Sequence, residues 1–332
     1  MTMTRTIAAK SLNPVGLGCM NLSWAYGRPP SAEDGAKLLN RALDLGYDHL
    51  DTARIYGLGK NETLIGETLK GRRGEFFLAS KTGIIVDGDK RRIDCHPDTI
   101  RAACEESLRL LQTDHIDLYY LHRRDFTVPI EDSIGALAEL VTAGKIGAIG
   151  LSEMSADTLR KASAVHPIAA MQTEYSPWTR QVEIAVLAAT AALGTALVAF
   201  SPVGRGALAN GVDDIAALED TDLRRNMPRF SAENWPHNAA LIARYNALAK
   251  AAGVTPAQLS LGWVLAQGDH VHVIPGSANI AHIEENFAQG HWRPDAATIA
   301  AVDALITNET VAGPRYPAAM QRTIDTEDYA AA

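Results

Sequence analysis

The order of segments constrains this chain most. Short apolar runs that end in a polar residue alternate with amphipathic stretches of helical period. A β-type run at Val15–Leu17 is followed by a helical pattern near Glu33–Leu45 and then by YDHLDT. Helical patterns near Glu62–Lys70, Pro97–Leu111, Ile130–Ala143 and Ala156–Ala164 precede EFFLASK, HIDLYYLH, KIGAIGLS and AAMQTEY in turn. A pattern near Val182–Ala192 precedes TALVAFSP, and two near His237–Ala252 and Pro256–Gln267 precede VHVIPGS. Eight strand candidates in 332 residues, without a linker, predict one closed (β/α)8 TIM barrel over residues 1–332. An N-terminal β-hairpin and long loops at the C-terminal face complete the expected α/β architecture. A doubly wound open sheet is the alternative, but it would carry a glycine fingerprint between its first strand and helix. Here Gly16-Leu17-Gly18 runs into Cys19-Met20-Asn21 and reads as a tight turn at a strand end. The Pro- and Gly-punctuated segment Gly204–Asn238 reads as a long surface loop and a candidate active-site lid.

Composition narrows the function classes. Hydrophobic residues make up 47% of the chain, enough for a large core, and the formal net charge is −8. That balance argues against a nucleic-acid partner. The basic clusters Arg72–Arg73, Lys90–Arg92 and Arg123–Arg124 are short and scattered, and read as solvated surface. Three cysteines without ligand spacing indicate neither a disulfide scaffold nor a zinc site. No signal-type leader and no run of about 18 apolar residues stands out, so the expectation is no membrane partner and a cytoplasmic location.

In such barrels the site lies at the C-terminal ends of the strands. Those ends carry Asp51, Lys81, His122, Ser152, Gln172, Phe200 and Ser277. Asp51, Lys81 and His122 fall on successive strands and should be neighbours, with Tyr56 folding back over the barrel mouth. A buried Lys81 needs Asp51 as a partner. Its charge would then lower the pKa of Tyr56 toward the working range, making Tyr56 a general acid. His122 would hydrogen-bond the substrate oxygen or share the proton. Each residue alone has an ordinary packing role, and their conjunction points to an oxygen that gains negative charge, as when hydride adds to a carbonyl.

The segments GLGCMNLSWAYG, LDTARIYG, LASKTG, IDLYYLHR, GAIGLSE, MQTEYSPWTR, FSPVGRGAL and IPGSANIAHIEEN resemble successive signatures of the aldo-keto reductase superfamily. The stretch DLRRNMPRFSAENWPHN is similar to the branch with plant perakine reductase and related bacterial enzymes. The resemblance implies a metal-free, NAD(P)H-dependent oxidoreductase that reduces an aldehyde or ketone to an alcohol. Its catalytic tetrad would fall on Asp51, Tyr56, Lys81 and His122. Nicotinamide contacts would fall on Ser152, Glu153 and Gln172, although the family usually has Asn where Glu153 stands. Phe200 would stack on the ring. Gly18, Met20 and Asp51 complete that end of the cofactor site. The pyrophosphate would lie along Ser201, Val203, Gly204 and Arg205, and the adenosine along Pro275, Gly276, Ser277, Asn279, His282, Glu285 and Asn286.

Many relatives that prefer NADP+ place Lys or Arg where Gly276, Asn279 and His282 stand, so NADH is expected to be accepted beside NADPH. Met20, Trp24, Tyr56, His122 and Trp178 are the expected substrate-pocket residues for a small-molecule carbonyl. The segment His291-Trp292-Arg293 and the tail from Arg315 are candidates for a further wall. Arg54, Arg123 and Arg124 could attract a polar substrate, but outward salt bridges are the simpler reading. A monomer or weak homo-oligomer is expected. The competing reading is a nucleotide-sensing interaction module resembling the potassium-channel β subunits.

Overall fold

The computed structural model describes residues 4–87 and 90–329. Eight parallel strands run Leu17–Gly18, His49–Asp51, Phe77–Thr82, Leu118–Leu121, Ile149–Ser152, Ile168–Glu174, Ala196–Phe200 and Val271–Val273. Each pairs with the next in sequence. Parallel bridges from Val15 to Val273 and from Gly18 to Gly276 join the first strand to the eighth. The Gly16 amide donates to the Val273 carbonyl at 2.9 Å across that seam. The sheet thus closes on itself, as a (β/α)8 barrel must to leave no free edge.

Local chemistry starts and stops the helices. Ser31 caps α1 (Ala32–Leu45), and Gly46 ends it at a φ of 102° that other residues rarely adopt. The strands are followed in turn by α2 (Lys60–Leu69), α3 (Pro97–Leu111), α4 (Ile130–Thr142), α5 (Ala156–Val165) and α6 (Val186–Leu193). The Val182–Ala192 pattern is broken because Ala185 leaves the helical region, with φ −152° and ψ −38°. After the seventh strand, residues 204–230 form successive 3-10 turns rather than unstructured loop, and α7 (Trp235–Ala251) starts earlier than the sequence pattern. Thr255 and Gln258 form a capping box on α8 (Pro256–Leu265). Then come α9 (Ile280–Ala288), α10 (Ala296–Leu305) and α11 (Ala318–Gln321). Among the described residues no helix is long and apolar enough to cross a membrane.

Two apolar layers result. Leu118, Tyr120, Ala170 and Val198 fill the barrel interior together with Ile7 and Leu12. The last two belong to the antiparallel hairpin Arg5–Ile7 and Lys10–Leu12. Arg5 pins this hairpin across the bottom by donating to the carbonyls of Val271 and Leu265. A larger outer layer, including Leu39, Leu50, Ile134, Leu151 and Trp263, packs helices onto strands. The bottom is therefore plugged, and the upper ends of the strands remain for chemistry. A second antiparallel hairpin, Ile84–Asp87 with Lys90–Ile93, rises there.

The α2–α3 contact gives a stability test. A Cβ on Gly66 would lie 2.5 Å from the Leu110 carbonyl oxygen, and backbone there has little room to yield. Gly66→Ala should destabilise the fold by about 1–3 kcal/mol through overpacking. Gly135 of α4 has nothing within 4 Å of an added Cβ. Gly135→Ala should stabilise by roughly 0.5–1 kcal/mol. Denaturant midpoints of the two variants check the opposite signs, and a neutral Gly66→Ala would contradict the close approach.

Candidate active site

Strand register brings the expected residues together. Asp51 ends the second strand, Lys81 lies on the third, and His122 follows the fourth, its amide bonded to the Thr82 carbonyl at 2.8 Å. Tyr56 begins a 3-10 turn, Tyr56–Gly59. Buried Asn61 locks the loop that carries it. Thr52 Oγ1 donates to Asn61 Oδ1 at 2.6 Å, and Asn61 Nδ2 donates to the Cys19 carbonyl and to Ser23 Oγ, both at 2.8 Å. The loops after the first two strands are thereby tied together behind Tyr56. Sequence reasoning passed over Asn61, because one Asn at a helix start reads as an ordinary capping residue.

Lys81 is buried and its ammonium donates to Asp51 Oδ1 and, at 2.8 Å, to the Thr52 carbonyl. Burial disfavours the charged amine, but Asp51 and then Tyr56 outweigh it, so the Lys81 pKa rises and the ammonium persists. The same nitrogen lies 5.2 Å from the centre of the Tyr56 ring. His122 meets Tyr56 edge to face, with ring centroids 5.9 Å apart. Burial, then Arg123, Lys81 and Arg91, push the His122 pKa well below its ordinary value, which makes it a neutral hydrogen-bonding partner at neutral pH. For Tyr56 the sequence expectation needs correcting. Lys81 does pull its pKa down, but burial is the larger effect and the net direction is upward. The phenol is therefore held protonated in the free protein, which suits a proton donor.

Asp51, Tyr56 and His122 line a cavity of about 790 Å³, and Lys81 is buried beside them. Gly18, Met20, Asp51, Tyr56, His122, Ser152, Gln172 and Phe200 line it. Ser201, Val203 and Arg205, then Pro275, Gly276, Ser277, His282, Glu285 and Asn286, line it as well. Trp24 also lines it. Gln172 Nε2 donates to Asp51 Oδ2 at 2.7 Å, which leaves its carbonyl oxygen as an acceptor. Ser201 and Arg205 adopt left-handed backbone, φ 48° and 57°, where the chain wraps the cavity. No cluster of three or more potential metal ligands occurs among the described residues.

Four expected contacts lie elsewhere. Glu153 does not line the cavity. Its carboxylate is fully buried, accepting from Thr173 Oγ1 at 3.0 Å, from the Glu174 amide at 2.8 Å, and from Arg315. That ion pair turns it away from the mouth. Trp178 is buried against Phe230, centroids 5.7 Å apart, beneath the floor. Gly204 packs on Trp178, with an added Cβ only 2.8 Å from that ring. Asn279 is exposed, spent on capping α9 through the Ala281 amide at 2.9 Å. Of the 291–293 segment, Trp292 packs against Gly262 of α8 instead, and the His291 side chain lies outside the described residues. Arg54 pairs with Glu106 at 2.6 Å.

The cavity has further walls, of which the sequence reading assigned only the tail. The tail contributes Tyr316, Ala319, Met320 and Thr323, within the stretch expected as a wall. Tyr26, Leu223, Arg224 and Met227 close over it, with the Leu223 amide bonded to the Ala25 carbonyl at 2.9 Å. Arg91, Arg92 and Ile93 come from the upper hairpin. Its signal was the Asp87-Gly88 pair between two short runs, a common hairpin turn dipeptide.

Comparison with known proteins agrees with this geometry. A profile of the Aldo/keto reductase family matches residues 14–307. The chain is 40% identical over 321 residues to an aldo-keto reductase of Schizosaccharomyces pombe named for NADP(+), covering 95% of this chain and 94% of the relative. It is 38% identical to a probable aldo-keto reductase of Glycine max, covering 92% and 88%. Among solved structures, a glycerol dehydrogenase from Gluconobacter oxydans superposes with a TM-score of 0.85 at 28% identity, covering 95% and 98%. The chain belongs to the aldo/keto reductase family of oxidoreductases.

Proposed function

We propose that this protein is an NADPH-dependent reductase of an aldehyde or ketone, with Tyr56 as the proton donor. The observation that carries the reading is that Asp51, Tyr56 and His122 line one cavity while buried Lys81 bonds Asp51 and lies against the Tyr56 ring. The cavity's residues fit a dinucleotide: a half-buried ring at Phe200, free acceptor and hydroxyl groups at Gln172 and Ser152, left-handed backbone at Ser201 and Arg205, and the N-terminal end of α9. Helix N-termini and exposed amides favour phosphate. When bound, NADPH would supply the hydride. Addition of that hydride at the carbonyl carbon would leave the C=O π pair on oxygen, the atom these residues serve. Tyr56 gives its proton to that oxygen, and the Lys81 ammonium stabilises the phenolate left behind. Neutral His122 offers a hydrogen bond to the same oxygen. Asp51 keeps Lys81 charged and oriented, and Gln172 holds Asp51. With Glu153 committed to Arg315, Ser152 and Gln172 would carry the amide contacts.

Cofactor choice follows from the adenosine end. His282 Nδ1 and Ser277 Oγ lie 3.2 Å apart, and Glu285 faces the same cavity. None carries a permanent positive charge. A charge-assisted hydrogen bond contributes roughly 1.5–3 kcal/mol, and about 1.4 kcal/mol is tenfold in affinity.

Three outcomes are expected. Tyr56→Phe should lower kcat for carbonyl reduction by about 10²–10⁴-fold while NADPH binding, read by fluorescence titration, stays close to wild type. Wild-type turnover would overturn the assignment. Because the Tyr56 pKa is raised and that of His122 lowered, the groups are in their working forms across neutrality. The kcat/KM for reduction should therefore stay flat from about pH 6 to about pH 9, and a bell centred near pH 7 would contradict it. The NADPH over NADH preference in kcat/KM should fall below about a thousandfold, and His282→Arg should raise it. Gly276 is a poor place for a new cation, since its Cβ would sit 2.8 Å from the Gly18 carbonyl oxygen.

A further inference from the structure

The reductase reading leaves two guanidinium groups at the substrate end of the cavity without a task. Arg91 rises on the upper hairpin and Arg123 follows His122, and both line the cavity near Tyr56. The other arginines that line it are neutralised. Arg205 pairs with Glu174 at 2.7 Å, Arg224 with Asp222 at 2.6 Å, and Arg92 with Asp94. Arg123 instead donates to neutral oxygens, the His122 carbonyl at 2.6 Å and Ser152 Oγ at 3.5 Å. Among the side chains that the structure describes, Arg123, Tyr56 and Tyr316 act on Arg91. No carboxylate whose side chain the structure describes pairs with either arginine. Two cations that line one partly enclosed mouth repel, and an anion bound by both relieves that repulsion.

The cofactor's phosphates are poorly placed to be that anion. Their expected residues follow the seventh and eighth strands, whereas Arg91 and Arg123 follow the third and fourth, across the ring. Both arginines act on His122, and Arg123 is its chain neighbour. An anion bound there would lie a few bonds from a carbonyl oxygen held by Tyr56 and His122. Met20, Trp24 and Met320 supply apolar surface for the skeleton between.

We propose that Arg91 and Arg123 form an oxyanion subsite, so that the substrates of this enzyme are carbonyl compounds bearing a carboxylate or phosphate group. The planar fork of arginine suits both groups, through paired charge-assisted hydrogen bonds. This rests on the reductase reading, and it adds the chemical class of the substrate.

The test compares matched pairs at low salt. Carboxylate is probed by 4-carboxybenzaldehyde against its methyl ester, and phosphate by glyceraldehyde 3-phosphate against glyceraldehyde. At least one anionic member should exceed its neutral partner in kcat/KM by about tenfold, and which pair does so identifies the group. The preference should shrink in about 0.5 M NaCl, where exposed charges are screened. Arg91→Gln, on an exposed hairpin, should lower the anion-to-neutral ratio about tenfold through KM, and Arg91→Lys should restore part of it. Neutral carbonyls reduced as well as anionic ones in both pairs would overturn the subsite and leave the reductase reading standing. No turnover of any carbonyl would remove that reading and the subsite with it.

Discussion

The buried pair of Lys81 and Asp51 is the interaction on which the rest of the site depends. An ammonium removed from water is costly unless a carboxylate and further acceptors meet it. Here Asp51 and the Thr52 carbonyl do so, and Gln172 occupies the other oxygen of Asp51. Three strands and the loop to Tyr56 are thus tied at one point. The pair itself forms between neighbouring strands, and the closed barrel brings Gln172 of the sixth strand onto Asp51. The closure in turn relies on close backbone contact at Gly18 and Gly276, where side chains would collide with carbonyl oxygens.

A second buried network performs a different task. Glu153 and Glu174 hold Arg315, and Glu174 also holds Arg205. The Glu174 pKa is pulled down to about 2, with Arg205 and Arg315 outweighing its burial. The tail that supplies Tyr316 and Met320 to the cavity is thereby fastened to the fifth and sixth strand ends. Asp325 fastens it again, accepting from Thr158 Oγ1 at 2.6 Å. Carboxylates that could have faced a ligand are spent on keeping a wall in place.

This division explains what was legible in the sequence. Strand ends and the spacing from Asp51 to Tyr56 are set by a local alternation of apolar runs and helices, and the proximity of Asp51, Tyr56, Lys81 and His122 could be read from them. Glu153 was misplaced because its partner, Arg315, is distant in sequence and no periodicity links the two. Trp178 was misplaced because an aromatic residue after a strand end can point toward the mouth or beneath it, and only the packing of Phe230 and Gly204 decides. The direction of the Tyr56 pKa was also beyond a sequence argument. It depends on how far burial exceeds the pull of Lys81, which requires the closed cavity.

The proposed chemistry requires the cavity to hold a carbonyl against Tyr56 with its carbon open to a hydride. Reduction of a carbonyl substrate with NADPH deuterated at C4 of the nicotinamide, in ordinary water, tests this most directly. Stereospecifically labelled cofactor of each hand would be used, and the product followed by NMR. The account predicts that one hand delivers its deuterium to the carbinol carbon, while the oxygen takes its proton from the protein and solvent. A carbinol hydrogen drawn from solvent with both labelled forms would contradict it.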